Sequence, residues 1–126
     1  MKELKLTTEE AVKYLKENVK IHDNIEISYN RIFAEGEVLN VDFSKYFGEP
    51  GFKMLVSLDE SDLGATIEID IYEVEDDIIE FIHYPKDGEE VDVTVILLQP
   101  IHFFKWNQFF NGLNLYINAL FLYRTD

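Results

Sequence analysis

The chain has 126 residues, with 25 acidic and 11 basic side chains and a formal net charge of -14. This length fits one domain over residues 1–126, and the 10 phenylalanines and 7 tyrosines supply a bulky core, so the composition excludes a disordered chain. The sequence contains no cysteine, which excludes disulfide scaffolds, zinc–thiolate sites and thiol nucleophiles and fits a cytoplasmic location.

The acidic balance and the hydropathy pattern limit the partners. A protein that binds nucleic acid directly presents a basic face to the phosphates, and an anionic membrane would repel this chain, so neither is expected as a partner. The N-terminus has no apolar run of the kind that a secretory signal needs. Polar residues interrupt the apolar stretch at 93–123, so no membrane-spanning helix is expected there.

The first predicted element is a helix. Thr7 and Glu10 have the spacing of a capping box, in which the threonine hydroxyl accepts from the Glu10 amide and the Glu10 side chain reaches back. Ala11, Val12 and Leu15 then recur on one face of the helix. This amphipathic pattern predicts a helix that packs against a sheet.

From residue 24 onward apolar and polar side chains alternate, which is the period of a half-buried β-strand. The clearest case is the stretch 65–72, where isoleucines alternate with polar and acidic residues, so that one face is apolar and the other is acidic. Strands are predicted at 24–30, at 32–43 with a break at 35–36, and at 52–58, 65–72, 78–84 and 90–98.

Two turns are predicted between these strands. Pro50 and Gly51 suit the second and third positions of a type II turn, because proline fixes φ and glycine tolerates a positive φ. The Asp-Gly pair at 87–88 suits a two-residue type I′ turn between the last two strands. That turn would place His83 opposite Asp92, as a cross-strand ion pair that favours the charged imidazole.

The C-terminal third is rich in aromatic residues, and three interpretations of it stay open. A short helix at 101–111 could be closed by Gly112 and followed by a strand at 113–123. Alternatively, Asn111 and Gly112 could form a hairpin turn, or the 3–4 spacing of apolar residues could continue as one helix. All three interpretations place the segment against the sheet.

Together these elements predict the α+β class. We expect an N-terminal helix packed on a mainly antiparallel sheet of about five to seven strands, mostly connected as a meander. The aromatic residues of the C-terminal third could also line a small-molecule pocket, in a binding protein or a small enzyme, or form a homodimer patch. The candidate residues for that pocket or patch are Trp106, Phe110, Tyr116 and Tyr123.

No catalytic, cofactor or metal motif is visible in the sequence. The stretch 59–64 matches a calcium loop in the position of its glycine but not in its ligands, because Leu63 occupies a ligand position. His22, His83 and His102 lie outside any zinc spacing, no serine lies in a Gly-x-Ser-x-Gly elbow, and the glycines are dispersed. We therefore predict no enzyme, no cofactor and no metal site.

The placement of the charge is the informative feature. Residues 1–58 carry a net charge of -2 and residues 93–126 carry +1, whereas residues 59–92 carry fourteen acids and one base, for -13. Charge kept only for solubility would spread over the surface, so this concentration favours a partner-binding face. The predicted partner-binding residues are Glu68, Asp70, Glu73, Glu75, Asp76, Asp77, Glu89, Glu90 and Asp92.

An acidic sheet face could occupy the basic groove of a nucleic-acid-binding protein. Carboxylates at alternate strand positions stand roughly 6.6–6.8 Å apart, which is commensurate with the phosphate repeat of about 3.4 Å along a nucleic-acid strand. The small, acidic, cysteine-free composition is similar to that of phage-encoded nucleic-acid mimics, such as anti-CRISPR and anti-restriction proteins, and of immunity proteins. This likeness covers composition and charge placement and implies no residue roles.

The resulting functional prediction is a non-enzymatic protein of the cytoplasm, which would be the host cytoplasm for a phage-encoded chain. It would inhibit a basic partner, a nuclease or another nucleic-acid-binding enzyme, by nucleic-acid mimicry. Electrostatic steering would make the association fast and sensitive to salt.

Overall fold

A computed structural model describes residues 1–59 and 64–97 of the chain. It confirms the predicted α+β class, because these residues form a seven-stranded, mainly antiparallel sheet with short helices. Residues 1–96 form one compact unit. The predicted helix at 101–111 and the two alternatives for the C-terminal third lie outside the described residues. The assignment of residues 1–126 to a single domain therefore stays a prediction.

The elements alternate between strands and helical connections. The strand order in the sheet is β1-β7-β6-β2-β3-β4-β5, in which β1 pairs with β7 in parallel and all other neighbours are antiparallel. The elements are β1 (Lys2–Thr7), α1 (Thr8–Asn18), β2 (Asn24–Tyr29), β3 (Ile32–Asp42), β4 (Lys53–Leu58), β5 (Thr66–Asp70), α2 (Ile71–Val74), a 3₁₀ turn (Glu75–Asp77), β6 (Ile78–Tyr84) and β7 (Val91–Ile96).

Helix α1 begins as the sequence predicts. The Thr7 hydroxyl accepts from the Glu10 amide at 3.2 Å, and the Glu10 carboxylate accepts from the Thr7 amide at 2.9 Å. Ala11, Val12 and Leu15 are buried against the sheet. The strand β1 just before the helix was not predicted, although Leu4 and Leu6 alternate with charged residues there. No helix among residues 1–59 and 64–97 is long and apolar enough to cross a membrane.

Helix α1 covers one face of the sheet, and we call this side the core face. Ile25 and Ile27 of β2, Phe81 of β6 and Met54 of β4 are fully buried there. Because successive strand side chains point to opposite faces, the residues between them lie on the other side of the sheet. In β5 this alternation is confirmed, since Ile69 is buried and the residues on either side of it are not. The predicted end of this strand at residues 71–72 is wrong, because these residues begin helix α2, whose first amides Asp70 caps.

The predicted type II turn at 49–52 is wrong. The turn lies earlier, at Phe47 and Gly48, whose φ angles are 52° and 79°. Both are positive, as a type I′ turn requires. The backbone groups of Tyr46 and Glu49 exchange two hydrogen bonds of 2.9 Å, which hold this turn closed. A phenylalanine rarely adopts a positive φ, so no local pattern predicts a turn at this position.

The predicted two-residue turn at 87–88 is also wrong. Residues 85–90 form a longer connection, and the register pairs His83 with Val91 instead of Asp92. The Asp23 carboxylate accepts from the Lys86 amide at 3.0 Å and so fixes the start of this connection. A residue distant in sequence therefore sets the register that local turn chemistry failed to predict.

The predicted break in β3 at 35–36 is absent, and the strand runs through Gly36. A Cβ atom at this glycine would stand 1.6 Å from the backbone oxygen of Ser57 on β4, so glycine permits the close approach of the two strands. The irregularity in the pairing of β3 lies later, between Val38 and Asn40.

Candidate functional site

The core face contains one buried polar network. The imidazole of His83, 1% exposed, lies against the carboxylate of Asp23, 4% exposed, with 2.7 Å between Nε2 and Oδ2. Because a carboxylate only accepts, the imidazole donates this hydrogen bond. The other ring nitrogen of His83 lies 2.9 Å from the hydroxyl of Tyr14 on helix α1. The network thus joins the start of β2, the strand β6 and the helix.

The Asp23 carboxylate accepts three hydrogen bonds, from three parts of the chain. Its direct donors are the imidazole of His83 and the amides of Lys20 and Lys86. Burial opposes ionisation of this group, but the hydrogen bonds outweigh burial and hold the pKa of Asp23 below its usual range. Burial, and then the charge of Asp23, raise the pKa of Tyr14.

A carboxylate, an imidazole and a hydroxyl in series also occur in catalytic sites, where the outermost group must reach a substrate. Here Asp23 and His83 are almost fully buried, and both hydrogen-bonding nitrogens of His83 are already engaged. We therefore assign the network to the fold. The predicted cross-strand pair of His83 with Asp92 is wrong, because the two side chains point to opposite faces of the sheet.

The second polar cluster lies on the side of the sheet that faces away from helix α1. The register places Glu3 beside Asp92, and Glu26 beside Glu35, in one row that crosses the sheet from β1 to β3. Ile82 of β6 stands in the same row, between Asp92 and Glu26. We call this surface the acidic face. It comprises the carboxylates of Glu3, Glu26, Glu35, Glu80 and Asp92.

Two carboxyl groups of the acidic face, those of Glu80 and Asp92, lie within hydrogen-bonding reach of each other. The Glu80 carboxyl hydrogen-bonds Asp92, and this contact raises the pKa of Glu80, together with partial burial and the charges of Asp92 and Glu26. The Oδ1 atom of Asp92 is buried and has no hydrogen-bond partner among the described residues. Within the described ranges, no lysine or arginine forms an ion pair with Glu26, Glu80 or Asp92.

The hydroxyl of Tyr84 gives a second indication of the negative potential on this face. It donates to the Glu26 carboxylate, and this hydrogen bond, together with partial burial and the charges of Glu26, Glu90 and Glu35, raises the pKa of Tyr84 to about 12. Ionising this tyrosine would place a further negative charge among carboxylates. The face is therefore strongly acidic at neutral pH.

The structure distributes the nine predicted partner-binding residues over three places. Glu68 and Asp70 lie on the edge strand β5, on the same side of the sheet as the acidic face but at its far edge. Asp92 belongs to the acidic face itself, and Glu89 and Glu90 precede it in the connection to β7. The four remaining residues, Glu73, Glu75, Asp76 and Asp77, belong to the helical connection from β5 to β6.

That helical connection lies on the core side of the sheet, next to helix α1. Asp70 caps its first helix by accepting from the Glu73 amide at 3.3 Å. Partial burial and the charges of Asp76 and of Glu9 on helix α1 raise the pKa of Glu75. The continuous acidic segment of the sequence is thus not one continuous surface.

Sequence reasoning missed four members of the acidic face: Glu3, Glu26, Glu35 and Glu80. Each occupies an outward position of an alternating strand, which is a usable signal, but three of them lie outside the segment of highest net charge. Only the pairing register brings these strands together. Among the described residues, no group of His, Asp and Glu side chains could hold a metal ion. The predicted aromatic pocket or dimer patch of Trp106, Phe110, Tyr116 and Tyr123 lies outside the described residues.

A family model described as "Uncharacterized protein conserved in archaea (DUF2097)" matches residues 2–94. The chain belongs to this archaeal family. The match runs from the start of β1 into β7, and so it contains both the buried Asp23–His83–Tyr14 network and the acidic face. Comparisons with curated proteins and with solved structures gave no significant match.

Proposed function

We propose that this protein is a non-enzymatic binding protein that holds a basic partner against its acidic face. The partner would be a nuclease or another nucleic-acid-binding enzyme, whose phosphate-binding surface the carboxylates occupy and thereby block. The observation that carries the proposal is the row of carboxylates on neighbouring strands, with Glu80 close enough to Asp92 that this contact raises the pKa of Glu80.

The electrostatics of the face support a basic partner. Like charges on neighbouring strands destabilise a sheet. In the absence of a partner, the carboxylates of Glu26, Glu80 and Asp92 therefore lower the stability of the fold. An arginine or lysine from a partner would neutralise them and recover that free energy on binding. A nearby positive charge would also favour the ionised form of Glu80 and so lower its raised pKa.

The spacing of the face supports a partner that normally binds phosphates. Neighbouring strands stand about 4.8 Å apart, and alternate residues along a strand stand roughly 6.7 Å apart, so the face offers negative charges on a regular grid. A groove built for phosphates presents basic side chains at comparable intervals. Ile82 and the ring of Tyr84 add apolar surface between the charges.

Two sets of substitutions that remove the same amount of charge can test the proposal. The first set, Glu26→Gln with Glu80→Gln and Asp92→Asn, neutralises the acidic face. The second set neutralises the helical connection and consists of Glu75→Gln, Asp76→Asn and Asp77→Asn. Binding of a labelled arginine-rich peptide would be measured by fluorescence anisotropy at low and at moderate salt.

We expect the acidic-face variant to bind the peptide about tenfold more weakly than the wild type and to lose most of its salt dependence. The variant of the helical connection should stay close to the wild type. Equal losses in the two variants would show that only net charge matters and would contradict an assigned face.

A second measurement tests nucleic-acid mimicry. The wild-type protein would be immobilised, loaded with basic proteins from an archaeal lysate, and washed with a short DNA duplex. If the partner uses its phosphate-binding surface, the duplex releases it, and the acidic-face variant retains little of it from the start. Retention that the duplex does not disturb would contradict mimicry while leaving the binding face in place.

The proposal includes a location in the cytoplasm, which a chain without cysteine supports. The proposal does not depend on a phage origin, which stays a prediction. The family to which the chain belongs is described as conserved in archaea. The alternative, a small-molecule pocket in the C-terminal third, also stays a prediction. A thermal-shift screen with nucleotides and metabolites would favour it if a small ligand stabilised the protein.

A further inference from the structure

A cleft of about 700 Å³ lies between the β3–β4 connection and the start of helix α2, at a distance in sequence from the acidic face. Its volume falls within the range of roughly 300–1,000 Å³ that is usual for small-ligand sites. Four aromatic rings line it: Tyr46, Phe47, Phe52 and Tyr72. Phe52 is fully buried and forms the inner wall of the cleft. Tyr46 and Phe47 are 69% and 89% exposed, so their rings form its rim.

The exposed rim is held in place at a cost in backbone strain. Phe47 has a φ of 52°, a conformation that bulky side chains rarely adopt. The two hydrogen bonds between Tyr46 and Glu49 keep it there. The rings of Tyr46 and Phe47 lie against each other, with 4.5 Å between their centroids. Asparagine would suit this turn position better, so the ring of Phe47 is held at the rim against the local preference of the turn.

The charges around the cleft select the sign of a ligand. Its lining contains the four carboxylates of Asp42, Glu49, Asp70 and Glu73, against two lysines, Lys45 and Lys53. The register pairs Lys53 with both Asp42 and Asp70, so that lysine is flanked by opposite charge. The remaining charge is negative, and the cleft would repel an anion.

One ring of the cleft already has a cation beside it. The ammonium group of Lys16 lies 5.8 Å from the centroid of the Tyr72 ring and donates to its hydroxyl at 3.2 Å. Aromatic faces attract ammonium groups in this way, and carboxylates at the rim add to the attraction. A second groove, of about 710 Å³, shares Tyr72 but is lined mainly by charged side chains of helix α1 and has no other ring.

From these observations we propose that the cleft binds an alkylammonium group, with its aliphatic part against the rings and its charge near the carboxylates. Such a group could belong to a free aliphatic amine or to a lysine side chain of a peptide. The proposal does not rest on the acidic face, because none of the residues of that face lines this cleft.

Nuclear magnetic resonance titration of the full chain tests the proposal, since backbone amides show where a weak ligand binds. The probes are hexylammonium chloride, 1-hexanol as its uncharged analogue, and the capped tripeptide Gly-Lys-Gly. We expect hexylammonium to shift the amides of residues 42–53 and 70–73 saturably, and hexanol to shift them little. Tighter binding of the tripeptide would identify a lysine side chain as the natural ligand, and tighter binding of hexylammonium a free amine.

Three variants, none of which changes the charge of the protein, make the test specific. Phe47→Ala should weaken binding of hexylammonium about fivefold to tenfold, whereas Phe33→Ala removes another exposed ring and should leave binding unchanged. Phe47→Asn creates the preferred Asn-Gly turn and should raise the melting temperature while it weakens binding to the same extent. Opposite changes in stability and affinity would exclude loss of folding as the cause.

Three results would overturn the proposal. The first is the absence of saturable shifts at the cleft amides when hexylammonium is added, with small shifts instead at amides near acidic residues throughout the protein. The second is equal binding of hexanol and hexylammonium. The third is equal affinity of the Phe47→Ala variant and the wild type. None of these results bears on the arginine-rich peptide and the acidic face, so the two proposals fail separately.

Discussion

The two faces of the sheet treat charged side chains in opposite ways. On the core face, Asp23 is almost fully buried, and an imidazole and two backbone amides donate to its carboxylate. On the acidic face, Glu80 and Asp92 are only half-buried, and no lysine or arginine of the described residues forms an ion pair with either of them. The contact with Asp92 raises the pKa of Glu80. The more buried charge is the better satisfied one.

This difference separates a structural role from a binding role. A buried carboxylate without donors would cost several kcal/mol, so the network around Asp23 is required for the fold to be stable at all. The carboxylates of the acidic face lower the stability of the fold slightly, and the sheet would form without them. Charges that oppose folding and remain accessible are those that a partner can use.

Of the changes that test this comparison, Asp23→Ala should have the largest effect on stability. This change removes the acceptor of the His83 imidazole and of the amides of Lys20 and Lys86, and it leaves the imidazole buried without its acceptor. We expect the free energy of unfolding to fall by about 3–5 kcal/mol, as measured by urea denaturation. Glu17→Ala, on the exposed side of helix α1, is the matched control and should change stability by about 0.5 kcal/mol or less. A loss below about 1 kcal/mol for Asp23→Ala would show that the buried carboxylate does not stabilise the fold, and the two faces would then not differ in role.

Tyr14→Phe should have a smaller effect on the same network. It keeps the ring that packs 5.7 Å from the Phe81 ring, but it removes the hydroxyl that faces the second nitrogen of His83. We expect a loss of about 1 kcal/mol in the same denaturation experiment. Combined with Asp23→Ala, it should cost less than the sum of the two single changes, because both act through one imidazole. Strict additivity would mean that the three side chains do not act as a unit.

The smallest predicted effect has the opposite sign and belongs to the acidic face. The folded-state pKa of Glu80 is raised, so the folded protein is favoured at low pH and loses stability as the pH rises from the unfolded-state value, about 4.3, through the folded-state value. Glutamine cannot ionise, so Glu80→Gln should stabilise the protein at pH 7 by about 0.5 kcal/mol and have no effect well below pH 4.

Urea denaturation at the two pH values would measure this difference, with Glu68→Gln on the exposed edge of the sheet as a control for the loss of one charge. A Glu80→Gln variant that is less stable than the wild type at pH 7 would show that Glu80 has a stabilising partner. For Asp23 the lowered pKa predicts the reverse slope: its contribution is present at neutral pH and is lost as the pH falls through the folded-state value.

The elements of the fold were predictable where a local pattern decides them. The capping box at Thr7 and Glu10 predicts the start of helix α1 correctly. The sequence pattern also predicts two central strands, at 24–29 and 78–84, close to their observed bounds. Turns were less predictable, because Phe47 adopts a positive φ against its own preference and Asp23 fixes the connection after β6 from a distance. In both cases a tertiary contact outweighs the local propensity.

The candidate site was predictable only in part. Asp92 was named from the charge of its segment, and it does lie on the acidic face. Its neighbours Glu3, Glu26 and Glu80 come from three other strands, and nothing local marks them as neighbours. The buried partner of His83 was likewise assigned to the wrong carboxylate, because a one-residue change of register moves every side chain to the other face.

The amino-acid sequence by itself determined the α+β class, the start of helix α1, the alternation of most strands and the strongly acidic character of the chain, since these follow from composition, capping and period. The tertiary structure alone decided which carboxylates meet. The strand order places β1, β7, β6, β2 and β3 side by side and separates β5 from β6, although the acidic segment contains both of those strands. Surface charge density depends on proximity in space, and for a sheet that proximity is set by strand order and register.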